Sequence, residues 1–273
     1  PELRESFART GTAHLLAISG LHVGSVFGAL LVGGRWVGRR LAPRVSIAWA
    51  WSGGGDRAAL LVAAFGAAAY VVVAGGPVSG QRALVMALAG VAASLLDRPA
   101  SGWNALAAAA LVVAWLEPAA LRSLGLQLSV VSVAGLLLVA PGPSGGPRAL
   151  RLLLGSLAAA AAGTVATAPI CAWAFGRVAL AGLWVNPVAI PLLGAATVPP
   201  LLAGAALGAL HPALGSPLVS LASWPARWGL ALVEAAARPD RSPVLLWQPS
   251  GAGVLVCYGL AVGALALGAW RRG

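Results

Sequence analysis

Of 273 residues, 59% are apolar and only 9% are charged, against roughly 25% charged in a soluble domain, so the chain lacks the polar residues needed to cover a water-facing surface. The net charge of +11 comes from 18 basic residues, all arginine, against seven acidic ones. In a bilayer-embedded chain such arginines set orientation and touch anionic headgroups, and the same charge is compatible with an anionic substrate. The two cysteines, Cys171 and Cys257, stand in separate apolar segments with no CxxC or Cys/His cluster, so neither a disulfide framework nor a zinc site is implied.

The chain opens on Pro1 and the charged residues Glu2, Arg4, Glu5 and Arg9, which do not read as a signal peptide; it reads as a piece of a longer protein. Apolar runs bounded by glycine, proline and arginine predict helices at 12–33, 58–75, 80–97, 103–117, 124–140, 149–173, 181–209, 213–237 and 250–270. A bilayer core takes about 20 helical residues, so runs such as 103–117 are short for a full crossing. Between the first two helices, 34–57 carries Arg35, Arg39, Arg40, Arg44 and Arg57 beside Trp36, Trp49 and Trp51. That pairing predicts an amphipathic segment at the headgroups, on the cytoplasmic side. The 181–209 run is interrupted by Pro187, Pro191, Pro199 and Pro200, which predicts a broken helix or a re-entrant pair. Ala158–Ala162, with Gly155 and Gly163, predicts close helix packing through small residues. PGPSGGP at Pro141–Pro147 and RPDRSP at Arg238–Pro243 read as short linkers. The fold expected is all-α: a single polytopic transmembrane helical bundle over 1–273, with about eight or nine membrane segments, some broken or re-entrant.

Function in such a bundle is read from polar residues inside apolar runs, where burying them is costly. His14, Ser19, Gly20 and His22 interrupt the first run; on a continuous helix the two histidines stand about 12 Å apart along the axis, too far to share a metal. They are either histidines packed between helices or part of a polar cavity wall. Arg82 sits a turn into its helix behind a glycine-rich loop; it either snorkels to the interface or meets a phosphate. Gln127, with Ser129 and Ser132, is expected to bond to other helices. Asn186 precedes Pro187, which marks a break in mid-apolar sequence of the kind that lines a cavity or is buried in protein. Asn104 and Glu117–Pro118 read as helix-end residues. No Walker loop, HExxH or mid-helix carboxylate is present, since Asp56, Asp97, Glu117 and Asp240 fall in loops or at ends; no cofactor, metal or enzymatic chemistry is expected.

The blocks GTAHLLAISGLHVG (Gly11–Gly24), VAGGPVSGQRALVMA (Val73–Ala87), the Asp97–Pro99 turn, Glu117–Pro118, LRSLGLQLSVVSVAGL (Leu121–Leu136) and APICAWAFGRVALAGLWVNPVAIPLL (Ala168–Leu193) resemble, in order and spacing, the competence domain of ComEC-type proteins, the inner-membrane DNA channel of natural transformation. HLLAISGLH is the most specific of them. Leu126 stands where the family commonly has phenylalanine and Gln81 where an apolar residue is usual; beyond Pro200 the match is only apolar character. Full-length members add an OB-like domain and a metallo-β-lactamase-like domain outside the membrane, so the resemblance implies outward-facing ends and an even number of crossings.

The resemblance implies a channel of the bacterial cytoplasmic (inner) membrane that takes up single-stranded DNA. His14, Ser19, Gly20, His22, Arg82, Gln127 and Asn186 are the expected pore-lining residues, with Gly20, Gly80 and Gly125 allowing close backbone approach. Expected partners are single-stranded DNA, membrane lipids, and the motor and DNA-receptor proteins of the competence machinery. A homo-oligomer stays open, because a DNA strand is wide for one bundle. The rival reading is a small-solute or ion transporter built on the same broken helices.

Overall fold

The computed structural model describes residues 2–16, 20–45, 53–99, 101–139, 147–238 and 244–270. The chain begins with a short amphipathic helix α1 (Glu2–Arg9) and a 3-10 turn (Ala13–Leu15). Then follow α2 (Gly20–Val45), α3 (Gly54–Val73), α4 (Val78–Leu95), α5 (Gly102–Leu116), a 3-10 turn (Pro118–Arg122), α6 (Leu124–Val139) and α7 (Arg148–Phe175). A broken helix comes next, made of α8 (Gly182–Ala189), a π-helical segment (Ile190–Ala196) and α9 (Val198–Leu210), and the chain closes with α10 (Pro212–Ala236) and α11 (Gly251–Trp270). The all-α expectation holds, and the break expected in 181–209 falls at the π-helical segment.

Among the described residues, four helical stretches are long and apolar enough to cross a membrane: Gly54–Val73, Val78–Leu95, Arg148–Phe175 and Gly182–Leu210. Three more, Gly102–Leu116, Leu124–Val139 and Gly251–Gly263, are apolar but shorter. Large apolar side chains cover the outside, with Val73 87%, Trp115 82% and Phe65 79% exposed. An exterior of this kind is stable only where the solvent is itself apolar.

Two expectations need correcting. The 12–33 run is not one helix: the 3-10 turn comes first, and α2 begins only at Gly20. Within 34–57, α2 continues to Val45 and α3 starts at Gly54, so among the described residues this part of the stretch belongs to those two helices rather than to a separate amphipathic segment; residues 46–52 lie outside the described residues. The glycines explain this. Gly34 and Gly38, one turn apart on α2, press against Ala59 and Gly55 of α3. A methyl at Gly34 would lie 3.1 Å from the Ala59 Cβ, and one at Gly38 would lie 3.2 Å from the Gly55 carbonyl oxygen. Small residues a turn apart let two backbones meet, so the pair stays helical beyond the apolar run. Arg35 Nε closes the hairpin 3.1 Å from Asp56 Oδ1, and Arg40 lies 4.7 Å from the centre of the Trp36 ring. Trp49 and Trp51 lie outside the described residues.

Small residues set the other seams. At Gly135 of α6, a methyl would lie 2.7 Å from the Ala166 Cβ and 3.0 Å from the Ala162 carbonyl of α7. Gly163 also faces α6, through Ser132, whereas Gly155 has open space beside it. Gly204 and Gly208 of α9 receive Gly215 of α10, whose added Cβ would strike the Gly204 carbonyl oxygen and lie 2.6 Å from the Gly208 Cα. His211 starts α10 by accepting the Ala213 amide at Nδ1, 3.3 Å. Tyr258 of α11 donates to the Ala166 carbonyl, 2.8 Å.

One element was absent from the sequence reading. Arg177–Ala179 (β1) and Val244–Leu246 (β2) form a two-stranded antiparallel ribbon, with Arg177 opposite Leu246. In the chain, β1 lies between α7 and α8, and β2 between α10 and α11. At three residues a strand is too short to show an alternating pattern.

Candidate functional site

Two of the expected residues, Arg82 and Asn186, are buried, Arg82 of α4 against the head of α2 and Asn186 of α8 beside the turn that follows α1. Thr10 and Thr12 are fully buried; the Thr10 hydroxyl donates to the Ser6 carbonyl, 2.8 Å, and the Thr12 hydroxyl lies 2.7 Å from it. With the Thr12 amide donating to the Phe7 carbonyl, 2.9 Å, the pair closes the C-terminal end of α1. Gly11 between them has φ +70°, the left-handed region that favours glycine. A methyl there would lie 3.3 Å from the Ala179 Cβ. Phe7 and Leu15 anchor this turn in a core shared with Ala181, Val185 and Ala189 at α8, and Val233 and Ala236 of α10. Glu5 adds an ion pair at the surface: its Oε1 accepts from Arg177 of β1 and from Arg9, each 3.2 Å.

Asn186 stands on the other side of Gly11. A methyl at Gly182 would lie 3.1 Å from Asn186 Nδ2 and 3.4 Å from the Thr10 carbonyl oxygen. Asn186 is 8% exposed, and its Oδ1 is buried with no hydrogen-bond partner among the described residues. Buried polar atoms are nearly always paired, and an orphan marks strain or function. Pro187 follows at once, so the amide sits at the entrance to the helix break.

Arg82, on the first turns of α4, is 4% exposed. Snorkelling is therefore not its arrangement, since a snorkelling guanidinium keeps its head in water. Its Nη1 lies 3.8 Å from Met86 Sδ, a weak acceptor, and its Nε is buried with no hydrogen-bond partner among the described residues. The head of α2 covers it: a methyl at Gly20 would lie 3.5 Å from Arg82 Nη2 and 3.3 Å from the Ala83 Cβ. A guanidinium buried without a carboxylate is costly.

The other expected residues divide. His14, on the 3-10 turn, is exposed, and His22, on α2, is half-buried. Ser19 lies outside the described residues. Gln127 does not bond across helices as expected. Its Nε2 donates to the Leu121 carbonyl of its own chain, 3.0 Å, closing the 3-10 turn before α6. Gly20 and Gly80 make close approaches, and Gly125 makes none. A cavity of about 430 Å³ opens beside α4 and α5, lined by Gln81, Leu84, Val85, Leu116 and Glu117; the sequence reading did not find it. The Thr10–Thr12 pair was also missed. Its only signal was the Thr-Gly-Thr spacing, since hydroxyls at a helix end are common and carry little information.

Long apolar helices, a proline-broken helix and polar groups sealed inside the bundle define a polytopic α-helical membrane protein. A family model described as Competence protein matches residues 1–271. The chain belongs to that family, the ComEC-type competence domain, as the ordered blocks indicated. Comparison with curated proteins and with solved structures gave no match.

Proposed function

We propose that this chain is a channel for uptake of single-stranded DNA across the cytoplasmic membrane of a bacterium during natural transformation. The observation that carries the reading is Arg82: a guanidinium buried inside an apolar bundle, with its Nε unpartnered and no ion pair to a carboxylate among the described residues. A group so costly to bury persists where it has work to do. Its fork of donors suits a phosphate oxygen pair. Contact with the backbone makes the binding sequence-independent, and on this reading His14, His22 and Asn186 are further polar residues along the strand's path. The chain is expected to carry out no chemistry of its own, with strand movement driven by a partner motor and DNA delivered by receptor proteins. Lipid and further copies of the chain are the remaining partners.

The test is Arg82→Met in the full-length parent protein. Methionine keeps much of the buried volume and removes the charge. Uptake of labelled DNA is expected to fall by about tenfold or more, the worth of one charge-assisted contact, with the protein present at normal levels. Unchanged uptake sinks the reading. The second reading, a small-solute or ion transporter, is favoured by the broken helix Gly182–Leu210, a device that builds midplane sites in transporters. Solute flux in proteoliposomes that depends on Asn186 but not on DNA would select it.

A further inference from the structure

Arg82 and the broken helix are joined by two consecutive residues at the head of α2. Gly20 lies on Arg82 and Ala83 of α4, while Leu21 fills the notch left by Gly194 in the π-helical segment. The segment is gripped from its far side in the same manner: Leu193 fits over Gly229 of α10, where a methyl would lie 2.5 Å from the leucine Cδ2. Thr197 donates to the Leu192 carbonyl, 2.7 Å, occupying an acceptor in a stretch where Pro191 supplies no donor. Short π-helical stretches occur mostly at functional sites. They have a neighbouring arrangement, the α-helix, within easy reach.

In this arrangement the Arg82 Nε is sealed from solvent. A cation that must meet a passing anion cannot do so while covered, so something must uncover it. The cover is the head of α2, and the fastening is Leu21 in the Gly194 notch. We infer that Leu21 and Gly194 form the latch of a gate: the structure is the closed state, and withdrawal of Leu21 from the π-helical segment lifts Gly20 off Arg82 and opens the polar wall. This rests on the channel reading for its purpose, but the latch is testable without any cargo.

The experiment uses the full-length protein in membrane vesicles, with Cys171 and Cys257 replaced by alanine and Ala83→Cys as a reporter under the Gly20 cover. Modification by a membrane-impermeant thiol reagent is measured with and without Leu21→Ala. Losing the packing of one half-buried leucine that fills a notch shifts a closed–open balance by about tenfold, so labelling is expected to accelerate by that factor. Leu255→Ala, on the exposed face of α11, is expected to leave the rate unchanged. Equal rates in Leu21→Ala and its parent, both folded by thermal denaturation, overturn the latch. The pair Leu21→Cys with Gly194→Cys keeps the test independent of folding. Cross-linked, it is expected to abolish DNA uptake, and reductant is expected to restore it; uptake that continues through the cross-link also overturns the latch. If Ala83→Cys labelling responds to Leu21→Ala while Arg82→Met leaves uptake intact, the latch stands and the channel reading fails.

Discussion

Arginine and asparagine inside apolar runs are costly, and both Arg82 and Asn186 prove to be buried with an orphan atom. Histidine and glutamine are cheaper to satisfy locally, and Gln127 shows how: its amide turns back to its own chain at Leu121, which no spacing rule reveals. Glu5 was legible only as an end-of-chain charge, because its partner Arg177 stands 172 residues away. The Arg177 guanidinium, and then that of Arg9, hold the Glu5 carboxyl below its ordinary value of 4.5. The sign follows from that lowering: a depressed carboxylate stabilises above its unfolded value and loses the contribution as pH falls through the folded one. The clasp of α1 onto β1 is therefore expected to be complete at neutral pH and to loosen below about 4.5. Amide protection factors of α1 in lipid nanodiscs check this. They should fall on acidification in the parent and stay low and flat with pH in Glu5→Gln; identical profiles for the two would remove the clasp.

The helices themselves were legible because apolar runs and their glycine and proline boundaries are local signals. The runs starting at 58, 80, 103, 124, 149, 181, 213 and 250 each coincide with an observed helix to within a few residues. What was hidden depends on partners distant in sequence. The extension of α2 through an arginine-rich stretch to Val45 is held by α3, and the β1–β2 ribbon joins residues 177–179 to 244–246. Glycine carries most of this tertiary specification. Gly215 and Gly155 have the same chemistry and opposite environments: Gly215 is pressed against the Gly204 carbonyl and Gly208, whereas Gly155 has nothing within 4 Å. Forcing a methyl into a closed seam costs about 1–3 kcal/mol. In open space a helical glycine gains by becoming alanine. Gly215→Ala is thus expected to lower the thermal midpoint in detergent by several degrees, with Gly155→Ala neutral or slightly raised. Equal midpoints would mean that the α9–α10 seam is not a tight contact.

At the scale of the whole molecule, the helix ends sort the charges. Arg35 meets Asp56, Arg57 lies 3.7 Å from Asp97, and Leu137 covers Gly102. Those contacts bring the end of α2, the start of α3, the end of α4, the start of α5 and the end of α6 to one side of the bundle. That side carries Arg39, Arg40, Arg57 and Arg98, and α7 starts there with Arg148 and Arg151. The opposite side holds Glu2, Glu5 and Glu117 among its arginines, together with the Thr10–Thr12 turn and the start of α4 just before Arg82. Arginine excess marks the cytoplasmic face, so the bundle is expected to sit with the Arg148 side inside. Arg82 and Asn186 would then lie nearer the outer face, where, on the proposed channel function, an incoming strand would arrive. Single cysteines decide it, in a background with Cys171 and Cys257 replaced. Ala119→Cys, beside Glu117, should react with an impermeant maleimide added to intact cells; Ala149→Cys, beside Arg148, should react only after the membrane is opened. The reverse pattern would invert the bundle and put Arg82 at the exit, where it could act only after the strand had crossed.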